Sequence, residues 1–378
     1  MPRTKSAIVD PAERKTAIAV LKAEIKEVQA SIKEHTAFVK STLKARNVED
    51  VMAAPRPKEV VLGSTRLPTP VFFPSISTVK TALKPAEYLA TLYSLRDMNC
   101  QFLVSAFDLG RSGNGDELAQ WLATAKQEGA TVLMDSGNYE SYWKDEQTTW
   151  SQSHFHEALQ RFPCAFAFGF DEQNPPMEDD DHVQLVVERW RQDQAAAGDR
   201  VIVPIVHGTA AALPTLCARI AQETQVSMIA VAERRLGDGV FERTRSVAAL
   251  RDKLNSTGRY VGLHLLGTGN PISMALYSWA GADSFNGLEW CQTVVDHETG
   301  LLFHLSQSDF FRQQTAWGEG DISFQARTLA HNLTFYTDWV QRLRQAVHAG
   351  SVVDFCRFNF PPRVFRQCAA TFGWEASA

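Results

Sequence analysis

TVLMDSGNY, residues 131–139, joins an apolar run of strand length to a polar cluster, Asp135-Ser136-Gly137-Asn138-Tyr139. The same pattern recurs five times. AFAFGF (165–170) ends on Asp171-Glu172-Gln173-Asn174, and VIVPIV (201–206) on His207-Gly208. SMIAVA (227–232) ends on Glu233-Arg234-Arg235, YVGLHLL (260–266) on Gly267-Thr268-Gly269-Asn270, and DSF (283–285) on Asn286-Gly287. With runs near 70–74 and 102–106, eight strands are predicted, and amphipathic stretches such as 85–98, 116–129, 182–196 and 241–255 lie between them. Alternating β and α units imply a parallel sheet, and eight of them favour an α/β fold of the (β/α)8 TIM-barrel type. In such a barrel the carboxyl ends of the strands share one rim, so the polar clusters are expected around one pocket. No G-x-G-x-x-G follows the first strand, which argues against a dinucleotide-binding sheet.

Working outward, residues 59–74 (EVVLGSTRLPTPVFFP) predict an antiparallel hairpin leading into the first strand. Upstream, Ile18, Leu21, Ile25, Val28, Ile32, His35 and Val39 form a heptad seam on one long helix. That seam fits packing along its own domain or contact with a second copy or a partner subunit. MAAPRPK (52–58) reads as the linker that ends it. The expected organisation is an N-terminal helix over 1–55, the barrel over 56–305 and a helical C-terminal extension over 306–378. Within the extension one helix is predicted near 322–348.

The bulk numbers set limits. A chain of 378 residues with 44% apolar content can bury a large core. A net charge of −5 gives no global basic field, although a local patch of Arg342, Arg344, Arg357, Arg363 and Arg366, or of Lys22, Lys26, Lys33, Lys40 and Lys44, could follow a phosphate backbone. Such residues are equally at home as solvated surface. Cys100, Cys164, Cys217, Cys291, Cys356 and Cys368 include no CxxC pair and read as reduced thiols. No run approaches the ~20 apolar residues that span a bilayer, and the amino terminus lacks a signal-peptide core. A cytoplasmic protein without membrane contact is expected.

Each rim residue has a chemical and a structural reading. Asp135 can move a proton, or cap the next helix. Tyr139 offers a face for stacking, or ordinary packing. Asp171, after a wholly apolar strand, can accept two N–H donors from a purine-like edge. His207 can contact a ligand or serve as a hydrogen-bonded structural residue. Glu233, Arg234 and Arg235 can pair with one another, and the amides of 267–271 can hold a phosphate.

In this order the motifs resemble the tRNA-guanine transglycosylase superfamily, from about Gly63 to Leu305. STRLPTPVFFPSISTVKTALKPAEY is similar to the family's entry segment, Asp135–Tyr139 to its DSGG-aromatic motif, and Phe170-Asp171-Glu172 to its FDE segment. Ile205–Gly208 stands at a V-Q-G turn, Leu265–Gly269 resembles L-x-G-x-G, and Gly281–Asn286 resembles G-x-D-x-F-D. The resemblance implies a modified TIM barrel that exchanges guanine in a nucleic acid, DNA or tRNA, for a 7-deazaguanine base. It implies Asp135 as the proton-transferring group, Asp171 as the reader of the base edge, Tyr139 and Leu266 as the faces of a sandwich, and His207 as a base contact in place of Gln. Ser136, Glu233 and Gly267 complete the substrate-binding set. GLEWCQTVVDHETGLLFH (287–304) is similar to the branch that places 7-deazaguanines in DNA.

Three departures stand out. The family's nucleophilic Asp is Asn286 here, a far poorer nucleophile; Glu289, three residues on, is a carboxylate that could substitute. The G-G-L segment is Ala232-Glu233-Arg234. The family's zinc ligands are missing, since residues 301–335 hold no cysteine, so no metal and no cofactor is expected. Base exchange therefore competes with an N-glycosidase that uses water, and with a non-catalytic base- or nucleic-acid-binding partner of an active paralogue.

Overall fold

The computed structural model describes Lys22, Lys26 and residues 56–79, 81–143 and 149–374. By contacts the chain divides into two units, residues 1–47 and 48–378. The heptad seam, with any subunit contact through it, lies outside the described residues, as do Lys33, Lys40 and Lys44.

In the second unit, β1 (Glu59–Leu62) and β2 (Thr65–Pro68) form the expected antiparallel hairpin. The strands that follow are β3 (Val71–Ile76), β4 (Gln101–Ser105), β5 (Thr131–Asp135), β6 (Phe166–Phe168), β7 (Val201–Val203), β8 (Ile205–Val206), β9 (Met228–Ala232), β10 (Gly262–Leu266) and β11 (Ser284–Gly287). They form one nine-stranded sheet in the order β7-β6-β5-β4-β3-β11-β10-β9-β8. Every pairing in it is parallel. The two edge strands are consecutive in the chain and separated only by Pro204, so the sheet curls nearly onto itself, consistent with a TIM-like barrel. Proline has no N–H to give a ladder, which is why the run predicted over 201–206 is interrupted there. The carbonyl of Pro204 still accepts from Ala230 N at 3.0 Å.

Side-chain alternation sorts the strands into two cores, as period-two geometry requires. Val71, Phe73, Leu103, Leu133, Phe166, Phe168, Val203, Ile205, Met228 and Ala230 form one cluster. The hairpin adds Val60, Leu62 and Leu67 to it. Their sequence neighbours Phe72, Val104, Met134, Ala167, Ile202, Ile229, Val231, Leu265 and Phe285 belong to the second cluster, with the helices. The run over 165–170 is shorter than predicted. Asp193, fully buried, takes the N–H of Phe170 at 2.7 Å and ends the strand pattern.

The helices between strands are α1 (Pro85–Ser94), α2 (Ala106–Gly110), α3 (Gly115–Gln127), α4 (Asn138–Trp143), α5 (Gln152–Arg161), α6 (Asp179–Ala197), α7 (Leu213–Thr224), α8 (Val240–Asn255) and α9 (Pro271–Ala280). After β11 come α10 (Glu289–Gln292), the antiparallel pair β12 (Thr293–Val295) and β13 (Leu302–His304), and helices α11 (Phe324–Ala349), α12 (Val352–Asn359) and α13 (Pro362–Phe372). The C-terminal helices share the outer core. Tyr336 of α11 stacks on Phe72 of β3, ring centroids 4.7 Å apart, and its hydroxyl donates to Gly269 O at 2.7 Å. Among the described residues no helix is long and apolar enough to cross a membrane.

Candidate functional site

A cavity of about 400 Å³ opens at the carboxyl ends of the strands. Asp135, Tyr139, Asp171, His207, Glu233, Leu266, Gly267 and Asn286 all line it, joined by Glu140, Gln173, Arg234 and Glu289. Of the nine residues assigned a catalytic or substrate-binding part from sequence, Ser136 alone is not in the wall. It is buried, its carbonyl takes the indole N–H of Trp150 at 3.0 Å, and its hydroxyl accepts from Asn138 N at 3.4 Å. The turn after β5 depends on glycine. Gly137 has φ of +78°, and a Cβ there would lie 2.4 Å from Phe107 Cβ.

One wall presents hydrogen-bond acceptors. His207 Nε2 lies 2.6 Å from Asp171 Oδ2, and because a carboxylate only accepts, that nitrogen carries the proton. Gln173 also donates to Oδ2. Oδ1 is thus the oxygen of Asp171 left for a ligand. Nδ1 of His207 is buried without a protein partner. A buried polar atom in that state is costly unless something fills its demand. With the imidazole neutral, Oδ1 and Nδ1 together suit an edge bearing N–H donors.

A second group of carboxylates is held close to protonation. Burial first, then the charge of Asp171, pushes Asp135 up to about 7, against opposing amides of Gly137 and Ser136. Burial, followed by Asp135 and Asp108, also raises Glu140 well above the usual carboxylate range. Oε1 of Glu140 accepts from Ser77 Oγ at 3.2 Å, and Oε2 is buried without a donor. A neutral carboxylic acid in this position can give a proton at neutral pH.

Asn286 is clamped. Its Oδ1 accepts from His264 Nε2 at 2.9 Å and its Nδ2 donates to Ser75 Oγ at 2.9 Å. Burial holds His264 down to about 4, so the ring is neutral, with its Nδ1 taking the hydroxyl of Ser284 at 2.7 Å. Three residues earlier, Asp283 is fully buried and accepts from Arg251, Arg56, Tyr260 and the amide of Leu263. Burial alone would raise it, but Arg251, Arg56 and the Tyr260 bond more than offset that and lower its pKa.

One expectation for the rim is corrected. Glu233 does not pair with Arg234 or Arg235; it takes Arg243 at 3.1 Å and the hydroxyl of Tyr277 at 2.7 Å. Arg234 instead donates to Gln173 Oε1 at 3.1 Å and lies over the Tyr139 ring, 4.5 Å from its centroid. In the turn at 267–271 one amide is taken within the chain, Thr268 N donating to Asn286 O at 2.6 Å. The basic residues of the C-terminal helices are partly engaged too: Arg342 with Asp338, Arg344 with Pro70 O, and Arg357 with Asp354.

Sequence reading had no signal for His264, hidden inside an apolar run, or for Glu140, whose carboxyl burial raises well above the usual range. Among the described residues no group of three or more His, Cys, Asp or Glu could hold a metal ion. No family model matches the chain, and no curated protein matches it.

Proposed function

We propose that the cavity binds a guanine or 7-deazaguanine base extruded from DNA or tRNA and that the chain exchanges one for the other at the sugar. The fold is read as a (β/α)8 barrel, with β7 and β8 taken as one strand bent at Pro204. The supporting observation is the meeting of two acceptors, Asp171 Oδ1 and His207 Nδ1, with an acid, Asp135, held near neutrality in one base-sized cavity. Guanine offers adjacent N–H donors at N1 and its 2-amino group, which such acceptors complement. Asp135 as a neutral acid can give its proton to the departing ring, and as a carboxylate can take the N9 proton of the incoming one. The protons balance over the cycle. Tyr139 and Leu266 supply apolar faces, and a base stacking on the ring face under Arg234 displaces that guanidinium. Extrusion is required because the reacting carbon is inaccessible in a stacked duplex. The reading sets the chain among intracellular nucleic acids, in the cytoplasm.

A second reading, N-glycoside hydrolysis, is favoured by the clamped amide of Asn286, which offers no covalent attack. Labelled guanine or 7-deazaguanine supplied with nucleic acid separates the two. Incorporation of label supports exchange, and base release without incorporation supports hydrolysis. Neither, with measurable base binding, leaves the non-catalytic partner role.

A further inference from the structure

Exchange through one cavity has a consequence for the sugar. The incoming base can enter only after the outgoing one has left, so the sugar carbon must be held in between, and a carboxylate is the usual holder. Asn286 is an amide bonded on both sides. Asp171 keeps only Oδ1 free, which the proposed base edge takes, and Oε1 of Glu233 is engaged by Arg243 and Tyr277. Asp135 and Glu140 line the cavity together, and burial raises both carboxyls.

Glu289 differs from all of these. It lines the same cavity from the turn after β11, which β3 and β4 separate from β5 and Asp135 in the sheet. Among the described residues no side chain forms an ion pair with it, and its carboxylate lies against the backbone at Gly269 and Gly287. Two glycines make its seat. A Cβ at Gly269 would fall 2.1 Å from Glu289 Oε2, and one at Gly287 would fall 2.3 Å from the same oxygen. Neither glycine needs a positive φ here, so the lack of a side chain serves the approach of that oxygen. Burial pushes Glu289 up to about 7, which leaves a substantial anionic fraction at neutral pH.

Resting on the proposed cleavage of a base–sugar bond, we propose that Glu289 is the nucleophile that attacks C1′ and carries the sugar as a transient ester. An oxygen of Glu289 forms a bond to C1′ as the C1′–N9 bond breaks. The electron pair of that bond leaves with guanine, which receives the proton of Asp135. In the return step N9 of the 7-deazaguanine, or a water oxygen, attacks C1′. Its proton passes to Asp135, and Glu289 departs as a carboxylate.

The test is a single-turnover reaction of the full chain with guanine-containing single-stranded DNA and, separately, unmodified tRNA, quenched in acid and run on a denaturing gel. A protein–nucleic acid adduct mapped by peptide mass spectrometry to Glu289 is the expected result. Glu289→Gln is expected to lose the adduct and at least about 100-fold in base release, with guanine binding retained. Should that variant fold poorly, the position of the wild-type adduct decides alone. An adduct on Asp135, base release without an adduct on Glu289, or a fully active Glu289→Gln protein overturns the assignment while leaving base cleavage intact. A wild-type chain that neither binds nor releases guanine removes base cleavage itself, and Glu289 with it.

Discussion

Asn286→Asp probes the clamp behind the cavity. In the wild type a neutral imidazole donates to a neutral amide oxygen 2.9 Å away, and burial holds His264 down to about 4. The substitution replaces the amide with a carboxylate of nearly the same shape. Ser75, which accepts from Asn286 Nδ2, can turn its hydroxyl to donate instead. The carboxylate then has two donors, and the imidazole has a charge to answer. At an effective dielectric constant of about 20, unit charges 2.9 Å apart attract by about 6 kcal/mol. At about 1.4 kcal/mol per pKa unit that corresponds to about four units. Reorganisation of the pair reduces it, so a rise of at least about two units is expected for His264. The ring nitrogens of His264, followed by ¹⁵N NMR between pH 3 and 10, report it directly. A titration within about half a unit of the wild type would refute the clamp, because it would mean that residue 286 and His264 do not face each other.

Three further outcomes follow from the same contacts. The folded pKa of Asp135, raised from 3.8 to about 7, means that the native state binds this proton more tightly than the unfolded chain. The stability it confers is full below about pH 4 and lost as pH rises to about 7, so Asp135→Asn should gain on the wild type across that window. Three units set a ceiling of about 4 kcal/mol, which solvent in the cavity should cut to about 2; parallel urea-melt stabilities from pH 4 to 7 would contradict the burial of this group. Gly137→Ala forces an unfavourable backbone conformation and places Cβ 2.4 Å from Phe107 Cβ, so a loss of more than about 2 kcal/mol in chemical denaturation is expected, against near-neutrality if the turn can relax. Asp283→Asn leaves Arg251 and Arg56 without their buried counter-charge and should cost about 3–5 kcal/mol; a change under about 1 kcal/mol would show the network to be dispensable.

Much of the sheet was legible because strand signals are local. The runs at 131–134, 227–231 and 260–266 fall within a residue or two of β5, β9 and β10. Which side chains face inward was not legible, because the runs are apolar throughout; only the pleat splits Phe72 and Phe73 between the two cores. The rim was legible for a related reason: a parallel sheet brings all its carboxyl ends together, so residues from 135 to 289 meet without any sequence neighbour saying so. What sequence did not disclose are pairings across strands. His264 reads as one more member of an apolar run, yet it holds Asn286 on the adjacent strand, two residues beyond its register partner Ser284. Arg234 looks like a partner for Glu233 and instead covers Tyr139, because Arg243 from α8 reaches Glu233 first. The turn at 267–271 has the composition of an anion cradle, but its Thr268 amide is spent on Asn286 O. Such competition among donors depends on the third dimension, not on residue type.

Calorimetric titration with guanine, hypoxanthine and adenine tests the base pocket most directly. Acceptors at Asp171 and His207 predict guanine binding at least about tenfold tighter than hypoxanthine, which lacks the 2-amino donor, and tighter still than adenine, which lacks N1–H as well. Asp171→Ala should erase that ranking along with most of the affinity. Equal affinity for the three bases, or undiminished guanine binding by Asp171→Ala, would contradict the pocket as described.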